Sequence, residues 1–214
     1  MPYLNSKVFY EFLKVYSKFF NYDIYCSLIE GRNFTIIDFL RKILTAIFSN
    51  VKKENILKAL KTIEKDIPKS EINIVFTFHS HILFSRGHKL DELEFYFIEF
   101  FNAYEKLIEN THEKTKINNI LVEFNNALSH IFFALENTNT FTSNINKAKS
   151  HLYRAILDCY KEILIENSNL IKQNQYQYIK IRKKEALNIG KNEDNKKEII
   201  KEYKILLGIK SQSS

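Results

Sequence analysis

Glycine and proline are scarce in this chain. The 214 residues include four glycines and two prolines, which is far below average usage. A β-sandwich or β-barrel needs turn residues about every 8–12 positions, so the shortage argues against both folds. Long helices joined by polar turns need few such residues. The composition therefore predicts a mainly α-helical bundle.

The chain also lacks features of secreted and membrane proteins. Residues 1–20 show no basic start, apolar block and small-residue cleavage site. Asp38, Arg41 and Lys42 interrupt the apolar run at 34–48, which is too short and too charged for a membrane span. Two cysteines, Cys26 and Cys159, do not make a disulfide framework. These absences predict a cytoplasmic protein with no membrane partner.

Apolar residues recur every three or four positions through most of the chain, as in amphipathic helices. The most regular series is Ile117, Leu121, Phe124, Leu128, Ile131 and Leu135. Residues 72–79 alternate with a period of two, and residues 22–28 do so more weakly, so a small β element within the first 90 residues is an alternative. The predicted organisation is an N-terminal helical or α+β part (1–90), a helical bundle (91–169) and a basic helical tail (170–214).

Positive charge is concentrated in the tail. The net charge is +7, and residues 170–214 hold 11 Lys or Arg against 5 Asp or Glu. Residues 1–169 therefore carry a net charge of only +1. This distribution argues against nucleic-acid binding by the whole surface and directs attention to the tail.

Within the tail, residues 176–184 interleave tyrosines with cations. The candidate binding residues are Lys180, Arg182, Lys183 and Lys184. Bases stack on aromatic rings and phosphates pair with cations, so RNA or another single strand is a candidate partner. The alternative is an amphipathic helix that docks on the bundle or on another protomer. A membrane-surface helix is disfavoured because the apolar face is narrow.

The segment 114–166 reads as a helical hairpin with a polar stripe on each helix. One stripe holds Glu123, Asn126 and His130, and the other holds Lys147, His151, Arg154 and Asp158. With the turn placed at 137–143, His130 is expected level with His151, and Glu123 level with Asp158. A solvated face explains such stripes, as does a buried network that fixes helix register. A functional site is the third interpretation.

Residues 123–130 resemble a motif of the HEPN superfamily, whose metal-independent ribonucleases carry Arg-x4–6-His on one helix. His130 matches the motif histidine and Asn126 matches the polar residue that often follows the arginine, but Asn125 stands in place of the arginine itself. The resemblance implies a helical bundle, RNA as substrate, pairing of two protomers into a homodimer, and a role in bacterial stress or defence.

The missing arginine decides between the functions that this resemblance implies. Arginine is a permanent cation that stabilises charge on a reacting phosphate, and asparagine cannot replace it. The leading prediction is therefore a degenerate HEPN-like module that binds RNA or a protein partner. The second is an active endoribonuclease in which His130 is catalytic, with Arg154 and His151 in support. The third is a structural helical adaptor.

No cofactor or metal is predicted. His79, His81 and His88 lie near Asp91, but ordinary half-buried histidines explain them better than a metal site with no recognised spacing. The four glycines are isolated, which excludes phosphate-binding loops. Both cysteines lie in apolar segments, where a nucleophilic thiolate is disfavoured.

Overall fold

The computed structural model describes residues 6–29, 36–50, 52–68, 91–111, 114–136, 138–188 and 192–209. These residues form nine α-helices and one 3-10 turn, and none of them lies in a strand, so the predicted mainly α-helical bundle is confirmed. The helices are α1 (Ser6–Ile29), α2 (Ile36–Phe48), α3 (Lys53–Asp66), α4 (Asp91–Asn110), α5 (Lys114–Glu136), α6 (Phe141–Glu166), α7 (Ser168–Gln173), α8 (Gln175–Asn188) and α9 (Glu193–Leu206). Among the described helices, none combines the length and the apolar composition needed to cross a membrane.

The weaker of the two strand predictions is wrong. Residues 22–28 belong to α1, and the buried side chains Phe19, Asp23 and Cys26 follow one another at helical spacing of four and three. The stabilisation from burying one face of a long helix is therefore greater than the weak strand preference of residues 22–28. The stronger candidate, residues 72–79, lies outside the described residues.

The chain divides into two compact units that do not follow its linear order. Unit 1 comprises Met1–Phe95 and Phe124–Ala148, and unit 2 comprises Tyr96–Glu123 and Lys149–Ser214. Helices α4, α5 and α6 each contribute one part to each unit.

The core of unit 1 is aromatic and forms around α1. The ring centroids of Phe12 and Phe124 lie 6.1 Å apart, and those of Tyr16 and Phe132 lie 5.5 Å apart. Helix α1 packs against α2 and α3. At its surface the Lys14 ammonium lies 3.2 Å from the Glu64 carboxylate on α3. Ring packing therefore joins α1 to the later part of α5, which contains the HEPN-like motif.

In unit 2, the end of the basic tail is part of the core. Ile199, Ile200, Tyr203 and Leu206 of α9 are buried. The Tyr203 ring stacks on Tyr160 of α6 at a centroid distance of 6.0 Å. Lys204 donates to both oxygens of Glu99 on α4, at 2.9 and 3.1 Å. Helix α9 is thus held by apolar burial and by charged hydrogen bonds.

Candidate functional site

Three of the predicted site residues meet in unit 2. Glu123 lies on α5, and His151 and Arg154 lie one turn apart on α6. The Glu123 Oε2 atom is 2.7 Å from His151 Nδ1, and Oε1 is 3.6 Å from the Arg154 guanidinium. The His151 and Glu123 side chains are 16% and 23% exposed, whereas that of Arg154 is 55% exposed. One carboxylate thus orients an imidazole beside an accessible cation.

The predicted register of the hairpin is wrong. Glu123 bonds His151 and not Asp158, which lies seven residues further along α6 and pairs with Lys161 at 2.5 Å. The difference is about two helical turns, or ~10 Å along the axis. The cause is the turn. A 3-10 turn occupies Thr138–Thr140 and α6 begins at Phe141, three residues before the predicted start, so the chain reverses earlier.

His130 has a different neighbour from the one expected. Its Nδ1 atom lies 3.0 Å from Asn144 Oδ1 in unit 1, where the prediction had placed His151. Asn126 is half-buried on the same helix. The predicted convergence of His130 with His151 and Arg154 would bring a residue of unit 1 to two residues of unit 2. It stays a prediction.

Asn125, at the position of the motif arginine, has a structural role. Its Oδ1 atom accepts a hydrogen bond of 2.7 Å from the hydroxyl of Tyr16, a fully buried side chain of α1. Burial raises the pKa of Tyr16 well above its ordinary value, so the hydroxyl remains a donor at any physiological pH. The asparagine thus fixes α1 against α5 within unit 1.

The cations of the tail fall into two groups. Lys184 donates to Glu202 at 2.6 Å and to Glu198 at 2.9 Å, which ties α8 to α9. Arg182 pairs with Glu185 at 2.5 Å. Two of the four predicted binding residues therefore take part in ion pairs within unit 2. These cations balance carboxylates of the same unit.

The other two predicted cations share an exposed helix face. Lys180 and Lys183 are exposed, and no salt bridge involves either of them within the described part of the chain. The pKa of Glu198 on α9 is lowered mainly by its hydrogen bond with Lys184, and the charge of Lys180 lowers it further. We define the outer face of α8 as Tyr176, Ile179, Lys180, Lys183 and Leu187. Tyr176 is 84% exposed, Leu187 61% and Ile179 55%. Ile179 and Leu187 were not among the predicted binding residues. Their separation of four residues from Lys183 would have placed all three on one helix face.

Among the described residues, neither a reactive cysteine nor a metal-binding group is found. Burial raises the pKa of the Cys159 thiol well above its ordinary value, and the nearby Asp158 carboxylate raises it further. Cys26 is buried as well. The described ranges contain no group of three His, Cys, Asp or Glu side chains arranged to hold a metal ion. His79, His81, His88 and the side chain of Asp91 lie outside the described part.

Comparisons of this chain with protein-family models, with curated proteins and with solved structures give no match. Two surfaces of the described residues are candidates for function: the Glu123 cluster, which consists of Glu123, His151 and Arg154, and the outer face of α8.

Proposed function

We propose that this chain is a non-catalytic, HEPN-like module that binds single-stranded RNA through the outer face of α8. The observation that carries the proposal is the pairing on that face of a ring that is 84% exposed, Tyr176, with two exposed lysines, Lys180 and Lys183. A role in a bacterial stress or defence system is part of the proposal and rests on the motif resemblance.

The face combines the two interactions that single strands use. A base stacks on an exposed aromatic ring, and this contact tolerates any sequence because every base has a π-face. Lys180 and Lys183 lie about one turn apart, so both can pair with phosphates of one strand. Ile179, between Tyr176 and the lysines, and Leu187, one turn after Lys183, add exposed apolar surface to the face. This combination favours an unpaired strand over a duplex, whose bases are already stacked.

The absence of catalysis is supported by the position of Asn125. A phosphate undergoing transfer needs a fixed cation nearby, and losing such stabilisation typically costs ~10²–10³ in rate. Asn125 is neutral and accepts a hydrogen bond from Tyr16. The motif therefore supplies an imidazole, His130, without the cation that accompanies it in the ribonucleases it resembles.

The RNA proposal predicts a specific loss of affinity. Tyr176→Ala should weaken binding of a short mixed-sequence RNA about tenfold, because one base loses its stacking partner. Lys180→Gln with Lys183→Gln should weaken it further and make the slope of log K against log salt shallower by about 1.4, since two phosphate contacts are lost. Fluorescence anisotropy across a series of salt concentrations measures both effects.

A matched control uses two exposed lysines of α3. Lys61→Gln with Lys65→Gln removes the same charge from exposed positions in unit 1 and should leave the salt slope unchanged. Equal effects of the two double variants would contradict the proposal, and so would binding that does not depend on salt. Deleting residues 170–214 is not a clean test, because the buried side chains of α9 would be lost with the lysines.

A second candidate function is metal-independent RNA cleavage, which the Glu123 cluster favours. With Nδ1–H donated to Glu123, the second ring nitrogen of His151 is the basic one and can take a proton from a ribose 2′-hydroxyl. Arg154 on the next turn is exposed enough to contact a phosphate. The carboxylate, imidazole and guanidinium are thus positioned as orienting group, base and electrostatic stabiliser.

We expect no cleavage when the purified protein is incubated with mixed single-stranded RNA in EDTA. The reason is that Arg154 also pairs with Glu123, which offsets part of the positive charge available to a phosphate. The assay includes the single variants His130→Ala, His151→Ala and Arg154→Ala. Cleavage that is lost in the His151 and Arg154 variants would establish the ribonuclease at the Glu123 cluster. Cleavage lost only with His130→Ala would place it at the motif.

A further inference from the structure

A cavity of about 430 Å³ lies in unit 2 where several helices end. Its lining includes Asn110 at the end of α4, Glu166 at the end of α6, and Leu207 immediately after α9. The C-terminal end of a helix carries a partial negative charge, equivalent to roughly half an elementary charge. Three such ends at one cavity make its interior attractive to a cation.

The asparagines at two of these ends hydrogen-bond to carbonyls of the last turn of their own helices. Asn110 Nδ2 donates to the Lys106 carbonyl at 2.7 Å, and Asn167 Nδ2 donates to the Ile163 carbonyl at 2.9 Å. Both asparagines line the cavity. Each amide nitrogen thus uses one of its two N–H groups within its own helix, and the side-chain oxygen can accept a hydrogen bond from a ligand.

The charged side chains in the lining of the cavity are one carboxylate and one ammonium. Glu166 lines it. Lys106 also lines it, and its ammonium is paired with Glu109 at 2.6 Å. The six-residue helix α7 begins at the same cavity, and its Leu170 amide already donates to the Asn167 carbonyl at 2.8 Å.

The apolar part of the lining decides the class of cation. Ile163, Leu170, Leu207 and Ile209 provide aliphatic wall beside the oxygens. A small metal ion would gain nothing from that wall, and the described residues contain no group of three His, Cys, Asp or Glu that could hold one. An alkyl chain that ends in an ammonium fits both parts of the lining. Its N–H groups donate hydrogen bonds to the oxygens, and its methylene groups are removed from water by the aliphatic wall.

We propose that this cavity binds the ammonium group of a linear alkyl polyamine. The ammonium donates to the side-chain oxygens of Asn110, Asn167 and Glu166, and the alkyl chain lies along Ile163 and Leu207. The site is separate in its chemistry from the RNA-binding proposal, since it selects a cation and the outer face of α8 selects an anion.

The test is isothermal titration calorimetry of the full chain with spermidine, without RNA. Spermidine should bind at millimolar concentration or below, and a linear diol of similar length should not, because it carries no charge. Glu166→Gln should weaken spermidine binding about twofold to fivefold, the loss expected when one solvent-exposed ion pair is removed. Glu94→Gln, an exposed carboxylate of α4 outside the cavity lining, removes the same charge and should leave the affinity unchanged.

Three results would overturn the polyamine site. These are no heat of binding at millimolar spermidine, equal binding of the diol, and equal weakening by Glu166→Gln and Glu94→Gln. Displacement of spermidine by an equal concentration of Mg²⁺ would assign the cavity to inorganic cations and would also overturn it. Glu166 is exposed, so the variant should fold, and its circular dichroism spectrum should match that of the parent.

Discussion

Replacing Glu99 with alanine is expected to lower the free energy of unfolding by about 3–5 kcal/mol, the range for removing one partner of a buried ion pair. The Glu99 and Lys204 side chains are only 11% and 14% exposed. Without the carboxylate, the Lys204 ammonium would remain in a poorly solvated site with its charge uncompensated. Tyr160, whose hydroxyl is 3.5 Å from Glu99, would lose its acceptor. Urea denaturation followed by circular dichroism measures the loss.

Two further variants make the Glu99 result specific. Glu109→Ala breaks the exposed pair with Lys106 and should cost less than about 1 kcal/mol. The double variant Glu99→Met with Lys204→Met removes both charges and should be markedly more stable than Glu99→Ala alone, because no charge is left unpaired. If the double variant were no more stable than the single one, the unpaired Lys204 charge would not be the cause of the loss.

Replacing Phe124 with alanine is expected to cost about 3–5 kcal/mol in unit 1, as other large-to-small substitutions of buried aromatic residues do. The Phe124 side chain is fully buried and its ring packs on Phe12 of α1. Its removal would leave a cavity that long, straight helices cannot close by small shifts. The same urea denaturation measures this loss.

Val122 is the matched control for Phe124. It lies two residues earlier on α5 and is 43% exposed, so Val122→Ala should change stability by no more than about 0.5 kcal/mol. Similar losses for the two variants would mean that the buried Phe124 ring contributes no more to stability than the exposed Val122 side chain does. That outcome would contradict the packing described for unit 1.

The two proposed sites bind ligands of opposite charge. Each can therefore be tested with its own ligand on separate samples of the same purified protein. Added RNA should compete with salt at the outer face of α8, whereas spermidine should be insensitive to the Lys180 and Lys183 substitutions. The Glu123 cluster can be assessed in the same preparation by cleavage. Each experiment therefore reports on its own residues.

The sequence by itself determined the helical class and most of the helix faces. The scarcity of glycine and proline excluded turn-rich β folds, and the series from Ile117 to Leu135 is buried as its spacing predicted. Such patterns can be read because a helix repeats every 3.6 residues whatever its neighbours are. The concentration of charge in residues 170–214 was equally visible, since it is a property of composition.

The tertiary structure decided which residues meet. Glu123 faces His151 because the chain reverses at Thr138–Thr140, and a shift of a few residues in a turn moves every pair along the hairpin. Lys184 and Lys180 look alike in sequence, yet only Lys184 has salt-bridge partners on α9 among the described residues. Residues 22–28 became helix because the buried face of α1 continues through Asp23 to Cys26. Register and partner choice depend on contacts distant in sequence, which no local periodicity encodes.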